Sequence, residues 1–593
     1  MEHSNYSKWW LWFALASAGA AMAVFAAGVV RAESDDEPRT KTPIQHVIVI
    51  VGENHTFDNT FGGYQPKPGQ SVLNLLSEGI INADGTPGPN FSNAAQNKAK
   101  DIGPSLYSPT PTFDSTYVTL PQPDTTYAYG RPLNVPDTRF PANLQNGPFQ
   151  LSKYVSYQVG YTGDPIHRFF QMWQQYDGGK LDLFTWVADT AGTGSNGNLV
   201  PQNTHQGGVA MGFVNMSAGD APAFKFIADN YAISDNYHQG IMGGTGANFI
   251  YLGTGDLGFF NDGSGNPTTP PLNQIENPNP VSGTNNWYTQ DGYSGGSYVN
   301  CFDATKPGVK PIRDYLAGLL YHPNPNCDAG HYYLVNNYGP AYNADGSLVN
   351  TGLKPFTLPP QTLPTIADSL SANGIKWKYY IGGENDGVHP TDSWCSICDP
   401  FQFTKSIMTT SLRHNIVDIP QFYADLAAGN LPAVSFIRPY EGYAGHPANS
   451  TLSNYEDFVS NVANAVINNH EVFGSTAILV TVDEGGGYYD SGYIQPLDFF
   501  GDGTRIPLMV ISPYVKAGTI DHTYYDHGSI LKFIEANWGL PPLSGRSRDN
   551  LSNPIPSANP YIPANSPAIG DLMNLFDFKH KRDEAPLIIP GGI

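Results

Sequence analysis

The chain has 593 residues, enough for several domains of roughly 100 to 200 residues or for one large core carrying insertions. Only 14% of the residues are charged against 40% hydrophobic, which excludes general disorder, while 63 glycines and 50 prolines predict long, ordered loops. Asp and Glu (52) outnumber Lys and Arg (30), and the resulting charge of −22 repels a phosphate backbone, so nucleic-acid binding is excluded as the main task.

The N-terminus reads as an export signal. Lys8 precedes an apolar stretch from Trp9 to Val30, and Val30-Arg31-Ala32 offers a small residue for cleavage ahead of the acidic Glu33-Ser34-Asp35-Asp36. The stretch is also long enough to span a bilayer, so residues 1–32 are expected to be a cleaved signal peptide or an uncleaved signal anchor. The product is expected in the periplasm, at the cell surface or in the medium.

From there the chain alternates strand-like and helix-like segments. His46 to Val51 is a continuous β-branched run, as expected of a strand buried on both faces of a parallel sheet. Helices are expected near Ala221–Tyr231 and Leu363–Ser371, and strands at Lys376–Ile381 and Ala433–Ile437. Asp457 to Asn468 places Phe458, Val462, Ala465 and Val466 near helical spacing, and that helix feeds a second buried run, Ala477 to Val482. A strand at Ile506–Ile511 and a helix at Ser529–Trp538 follow. This alternation predicts an α/β fold, layered α/β/α around a mostly parallel sheet. Tracts rich in Gly, Pro, Ser and Asn at 73–149 and 255–300, and a Pro-rich tail from about 550, predict insertions in one catalytic domain spanning 33–593. The four cysteines, Cys301, Cys327, Cys395 and Cys398, suit two disulfides in an oxidising compartment, with all three pairings open.

Open α/β sheets place ligands at the carboxyl ends of their strands, and two of those ends are acidic. The first run enters Gly52-Glu53-Asn54, and the later one enters Asp483-Glu484 followed by three glycines. Neighbouring carboxylates do not both stay ionised in a crevice without a cation. Glu53, Asn54, Asp483 and Glu484 form an all-oxygen set suited to a hard divalent ion such as Ca²⁺, Mg²⁺ or Mn²⁺. Thr245 follows Gly243-Gly244. If a helix starts there, its free N–H groups favour a threonine alkoxide or a phosphoryl group, although an N-cap is the commoner role of such a threonine.

These residues carry a resemblance. Ile44–Tyr64 (IQHVIVIVGENHTFDNTFGGY) resembles the opening motif of the bacterial phosphoesterase family that contains phosphatidylcholine-type phospholipases C and metal-dependent acid phosphatases, distant relatives of alkaline phosphatase. Further blocks follow in family order: Asp164–Phe184, Ser234–Gly255, Leu431–Pro439, Ile478–Asp490 and Arg505–Glu535. The resemblance implies an alkaline-phosphatase-like core, with Glu53, Asn54, Asp483 and Glu484 holding a divalent metal, Ca, Mg, Mn or Zn. It implies Thr245 as the nucleophile toward phosphorus, and Asn248, His167 and His446 as contacts of the phosphoryl oxygens. His205, His331 and His527 are expected to be structural.

Departures bear on the substrate. His55-Thr56 stands where phospholipases carry Arg-Ser, Thr245-Gly246-Ala247-Asn248-Phe249 replaces a Thr-Asp-Pro-Asn-Arg turn, and Ser491 rather than His follows Asp490. Cys398-Asp399-Pro400-Phe401 lacks the histidine pair that some phosphatases place there. The expectation is an exported, acid-phosphatase-like phosphomonoesterase working through a phosphothreonine. The alternatives are a phospholipase C touching a membrane surface through loops such as Asn286-Trp287-Tyr288, and a non-catalytic surface protein on the same scaffold.

Overall fold

The run His46–Gly52 forms β1, buried along almost its whole length at the middle of an eight-stranded sheet. The computed structural model describes residues 38–100, 107–125, 135–190, 206–278, 295–385, 387, 389–582 and 587–592. The apolar stretch Trp9 to Val30, His205 and Asn286-Trp287-Tyr288 lie outside them. No described helix is long and apolar enough to cross a membrane.

The remaining strands of the sheet are β2 (Ala232–Ser234), β3 (Trp377–Ile381), β4 (Ile416–Val417), β5 (Val434–Arg438), β6 (Thr476–Val482), β7 (Leu508–Ile511) and β8 (Thr519–Asp521). Their order is β4-β3-β5-β1-β6-β7-β2-β8. Only β7 runs against its neighbours, and every other pairing is parallel. The fold is thus α/β with a mostly parallel central sheet. Val47 pairs with both Val434 and Ala477, and Gly52 pairs with Val482. That register makes Glu53 and Asp483 leave the sheet side by side.

The helices that frame the sheet are α1 (Phe57–Phe61), α2 (Phe169–Tyr176), α3 (Pro222–Asn230), α4 (Thr245–Thr254), α5 (Ile366–Ala372), α6 (Leu452–Asn468) and α7 (Gly528–Trp538). Local chemistry sets their ends. Thr365 and Asp368 form a reciprocal capping box on α5, and Thr451 caps α6 by accepting from the N–H of Asn454. That cap starts α6 five residues before the expected Asp457. Conversely, β7 starts at Leu508 instead of Ile506, because Pro507 has no N–H to give the ladder. The strands β2, β4 and β8 are two or three residues long, too short for any sequence periodicity to reveal them.

Two cores hold the chain together. One joins β1, β5, β6 and β7 to α3, α5, α6 and α7. The other gathers Leu75, Ile80, Leu120 and Phe140 from the 73–149 tract against Phe169 and Trp173 of α2, Tyr251 of α4 and Phe499. Residues Pro38–Ile593 group as one unit. Disulfides pair Cys301 with Cys327 and Cys395 with Cys398.

Glu456 on α6 ties the segment that carries Tyr157 to α3. Its buried carboxylate accepts from Tyr157 Oη at 2.5 Å and from the Phe224 N–H at 2.9 Å. Burial pushes its pKa up from 4.5 to about 7. The folded state therefore keeps a proton that the unfolded chain releases. This contribution to stability is complete below about pH 4.5 and is lost as the pH rises through about 7. Urea unfolding of the native protein is expected to lose about 2 to 3 kcal/mol between pH 5 and pH 8 relative to Glu456→Gln, which has no proton to release. Parallel pH profiles of the two proteins would refute this.

Candidate active site

Where β1 ends, Glu53 turns into the crevice with its N–H on Ala444 O at 2.8 Å. Glu53 Oε1 accepts a hydrogen bond from the buried Arg438 guanidinium at the end of β5, and the disulfide sulfur of Cys398 lies 3.3 Å from the same oxygen. A disulfide sulfur carries no proton, so the second contact is packing. Gly52 makes this turn possible, since a Cβ there would sit 2.6 Å from the Tyr455 ring and 2.7 Å from Ala444 O.

Asn54 adopts φ +52°, a left-handed conformation that asparagine tolerates better than most residues. Its N–H reaches Asp483 Oδ1 at 3.3 Å, and its Nδ2 donates to Asp164 Oδ1 at 3.2 Å. Gly486 packs against it at φ +59°, where a Cβ would come within 2.7 Å of Asn54 Cβ. The glycine-rich turn after β6 thus lets the two acidic strand ends close on each other.

Asp483 Oδ1 also accepts the Glu484 N–H at 2.8 Å, and its backbone oxygen is 2.7 Å from His527 Nε2. Tyr237 Oη lies 2.8 Å from the other nitrogen of His527. Burial pushes His527 down to about 4, so this ring stays neutral and braces the strand end from behind. His331 packs its ring against Phe259, 4.5 Å between ring centres, and its Nδ1 lies 3.2 Å from Ala329 O.

Glu484 meets the nucleophile candidate. Thr245 is the first residue of α4, buried, and its Oγ1 donates to Glu484 Oε1 at 2.9 Å. His167 Nε2 lies 3.4 Å from the same oxygen, while Nδ1 is 2.7 Å from Pro165 O. Nε2 therefore faces the acidic cluster. Asn248 lies one turn along α4, and its amide is hydrogen-bonded within the glycine loop. Its Oδ1 accepts from the Ile241 N–H at 3.0 Å and its Nδ2 faces the carbonyls of Ile241, Gly243 and Gly244. Glu484 Oε2 is 3.5 Å from that Nδ2. Asn248 therefore holds the glycine loop and Glu484 in place. His446 is the more exposed histidine, with Nε2 3.5 Å from Asp164 Oδ2 and 4.0 Å from Glu53 Oε2.

Two residues of the site were not singled out from sequence. Asp164 is fully enclosed and touches Asn54, His167 and His446, and its one sequence signal was its place at the head of the Asp-Pro-Ile-His segment. Arg438 lay one residue past the expected strand Ala433–Ile437, within the Leu431–Pro439 block, and is in fact the last residue of β5. The residues at the family's departures serve the scaffold. Both ring nitrogens of His55 face acceptors, Asn59 Oδ1 at 2.6 Å and Gly445 O at 3.0 Å, and Thr56 caps α1. Asp490 pairs with the buried Arg505. Asp399, beside Cys398, is pushed up to about 7 by burial.

Burial raises the pKa of Glu53 against the opposing pull of Arg438, and raises that of Asp483, with the charge of Glu53 adding to it. Asn54 Oδ1 and Asp483 Oδ2 are buried with no hydrogen-bond partner among the described residues. Two orphaned oxygens beside carboxylates that burial disfavours in the charged form fit a hard cation. The fit is incomplete in one respect. Among the described residues, the His, Cys, Asp and Glu trio whose ligand atoms lie within 4.8 Å of one another is Glu53, Cys395 and Cys398. Its sulfurs are joined to each other, and Glu53 is drawn toward Arg438. The expected four residues share one crevice without closing into a single coordination sphere.

A sequence model of the Phosphoesterase family matches residues 44–541. Phospholipase C B of Mycobacterium tuberculosis is 21% identical over 91% of this chain and 79% of its own. Phospholipase C A of the same organism is 24% identical over 89% and 80%. An acid phosphatase of Aspergillus fumigatus is 29% identical over 32% of this chain and 42% of its own. Among solved structures, a sulfatase from Pseudoalteromonas sp. covers 55% of this chain and 64% of its own at 11% identity, with a TM-score of 0.26, too low to carry argument.

Removing the one guanidinium on Glu53 tests how the crevice is balanced. Arg438→Met leaves a buried carboxylate unpaired and is expected to cost about 3 to 5 kcal/mol in urea unfolding. Adding Glu53→Gln is expected to restore at least half of that loss. A double variant as unstable as the single one would show that packing, not charge, is what Arg438 supplies.

Proposed function

The chain belongs to the Phosphoesterase family and is a phosphoester hydrolase; on that premise we propose that it is an exported phosphomonoesterase, resembling acid phosphatases, with Thr245 as its nucleophile. The observation that carries this reading is the 2.9 Å hydrogen bond from Thr245 Oγ1 to Glu484 Oε1 at the first turn of α4. A hydroxyl so placed is oriented by a carboxylate, and the positive end of the α4 dipole favours a phosphoryl group in front of it.

In the proposed reaction Thr245 Oγ1 attacks phosphorus, the ester oxygen leaves as the alcohol, and water then releases phosphate from the phosphothreonine. Glu484 Oε1 holds the hydroxyl's hydrogen and is the nearest atom to receive it. His167 and His446 face the place where negative charge grows on the non-bridging oxygens. Asn248 keeps the glycine loop and Glu484 in register, a positioning role in addition to the expected phosphoryl contact. Asp164 fixes Asn54 and the two histidines. A divalent cation held by Glu53, Asn54, Asp483 and Glu484 would lower the pKa of the Thr245 hydroxyl and stabilise charge on the phosphoryl oxygens. Residues 33–593 form the catalytic domain in this proposal, and residues 1–32 direct export.

A second reading, phospholipase C, is favoured by the two M. tuberculosis relatives matched over about four fifths of their length, 79% and 80%. The departures at His55-Thr56, at Gly246-Ala247 and after Asp490 favour the monoesterase. The two are separated by assaying p-nitrophenyl phosphate beside p-nitrophenylphosphorylcholine in the presence of single divalent ions. The monoester is expected to turn over faster. Thr245→Ala is expected to lose about 10³-fold or more in kcat, and His167→Ala about 10² to 10³-fold. Undiminished turnover in Thr245→Ala would remove the nucleophile assignment, and preference for the choline diester would move the enzyme to the second reading.

A further inference from the structure

Beside the acidic crevice lies a half-open cleft walled by Leu151, Val155, Tyr157, Val214, Pro447 and Leu452. Its volume is about 60 Å³, room for about four water-sized groups. Three further wall residues run straight into the candidate site. His55 follows Asn54, Gly445 precedes His446, and Thr162 stands two residues before Asp164. Tyr488 closes another side, stacked on His55 at 6.2 Å between ring centres.

Most hydroxyl groups of this cleft already hold a partner within the protein. Ser152 Oγ donates to Asp220 at 2.5 Å, Tyr157 Oη to Glu456 at 2.5 Å and Ser450 Oγ to Gly442 O at 2.9 Å. Thr162 Oγ1 donates to Gly163 O at 3.1 Å, and Thr451 Oγ1 accepts from the Asn454 N–H as the cap of α6. Among the described residues no Asp, Glu, Lys or Arg lines the cleft. A polyol entering it would lose water and find few partners, whereas an apolar group would exchange water for Leu151, Val155 and Leu452.

We infer that this cleft receives the organic alcohol of the phosphoester and selects a compact, uncharged apolar alcohol, aromatic or short-chain aliphatic, over a polyol, a sugar or a quaternary ammonium head group. The inference rests on the phosphomonoesterase reading, because it places the scissile phosphorus at Thr245 and the leaving oxygen toward Gly445 and Tyr488. The volume also excludes the paired acyl chains of a phospholipid from this side of the site.

Two variants that keep the fold test it, Leu151→Ala, which removes part of the wall, and Val155→Thr, which keeps the shape and adds a hydroxyl. Steady-state kinetics are measured with divalent ion for p-nitrophenyl phosphate and for glycerol 3-phosphate, together with inhibition by orthophosphate. Each variant is expected to raise KM for the aryl ester, Leu151→Ala by about tenfold, with kcat within about twofold. KM for glycerol 3-phosphate and the inhibition constant of orthophosphate are expected to stay unchanged. Equal changes for both substrates, or no change for either, would overturn the inference while leaving the phosphomonoesterase reading intact. Absence of monoester turnover in the unmodified protein would overturn both.

Discussion

The fold is organised around an electrostatic problem that its own sheet creates. The parallel register of β1 and β6 brings Glu53 and Asp483 out of the sheet together, with Glu484 and Asp164 beside them, all buried. Like charges this close in a water-poor crevice are costly, and burial raises the pKa of Glu53 and of Asp483. The chain supplies one permanent cation, Arg438, to one oxygen of Glu53. In the proposed function the rest of the crevice would be balanced by a divalent cation. The orphaned oxygens of Asn54 and Asp483 express this as directly as the raised pKa values do.

The surrounding structure makes the crowding possible. Tyr455 Oη donates to Thr481 O at 2.5 Å behind the strand ends, and His527 braces Asp483 from the backbone side. The glycines after Glu484 bring the turn against Asn54, and α4 aims Thr245 at Glu484. In the proposed reaction these contacts would hold the hydroxyl in place, so that little reorganisation is needed when charge develops on phosphorus. Leu151 and Val155, which pack with the second core, also wall the apolar cleft.

The central strands were legible because burial on both faces demands continuous β-branched runs, and β1 and β6 are such runs. Thr245 was legible as a helix start because two glycines precede it. The short edge strands were not, since two or three residues carry no period. Arg438 was hidden for a different reason. Its side chain serves the end of the adjacent strand β1, and nothing local marks an arginine as the partner of a glutamate 385 residues earlier. Asp164 likewise acquires meaning only when its loop folds over β1. Asn248 could be placed near the site from its spacing to Thr245, but its bonds to the loop carbonyls depend on how tightly the glycines turn.

The most direct test is to strip the protein with a chelator and follow thermal unfolding while adding Ca²⁺, Mg²⁺, Mn²⁺ or Zn²⁺ singly. The account predicts that at least one ion stabilises the fold, by about 2.7 kcal/mol when present at a hundredfold excess over its dissociation constant. Asp483→Asn should weaken that response at least tenfold. A protein indifferent to every ion, or an Asp483→Asn variant that responds as the native protein does, would contradict the claim that the crowded strand ends exist to hold a cation.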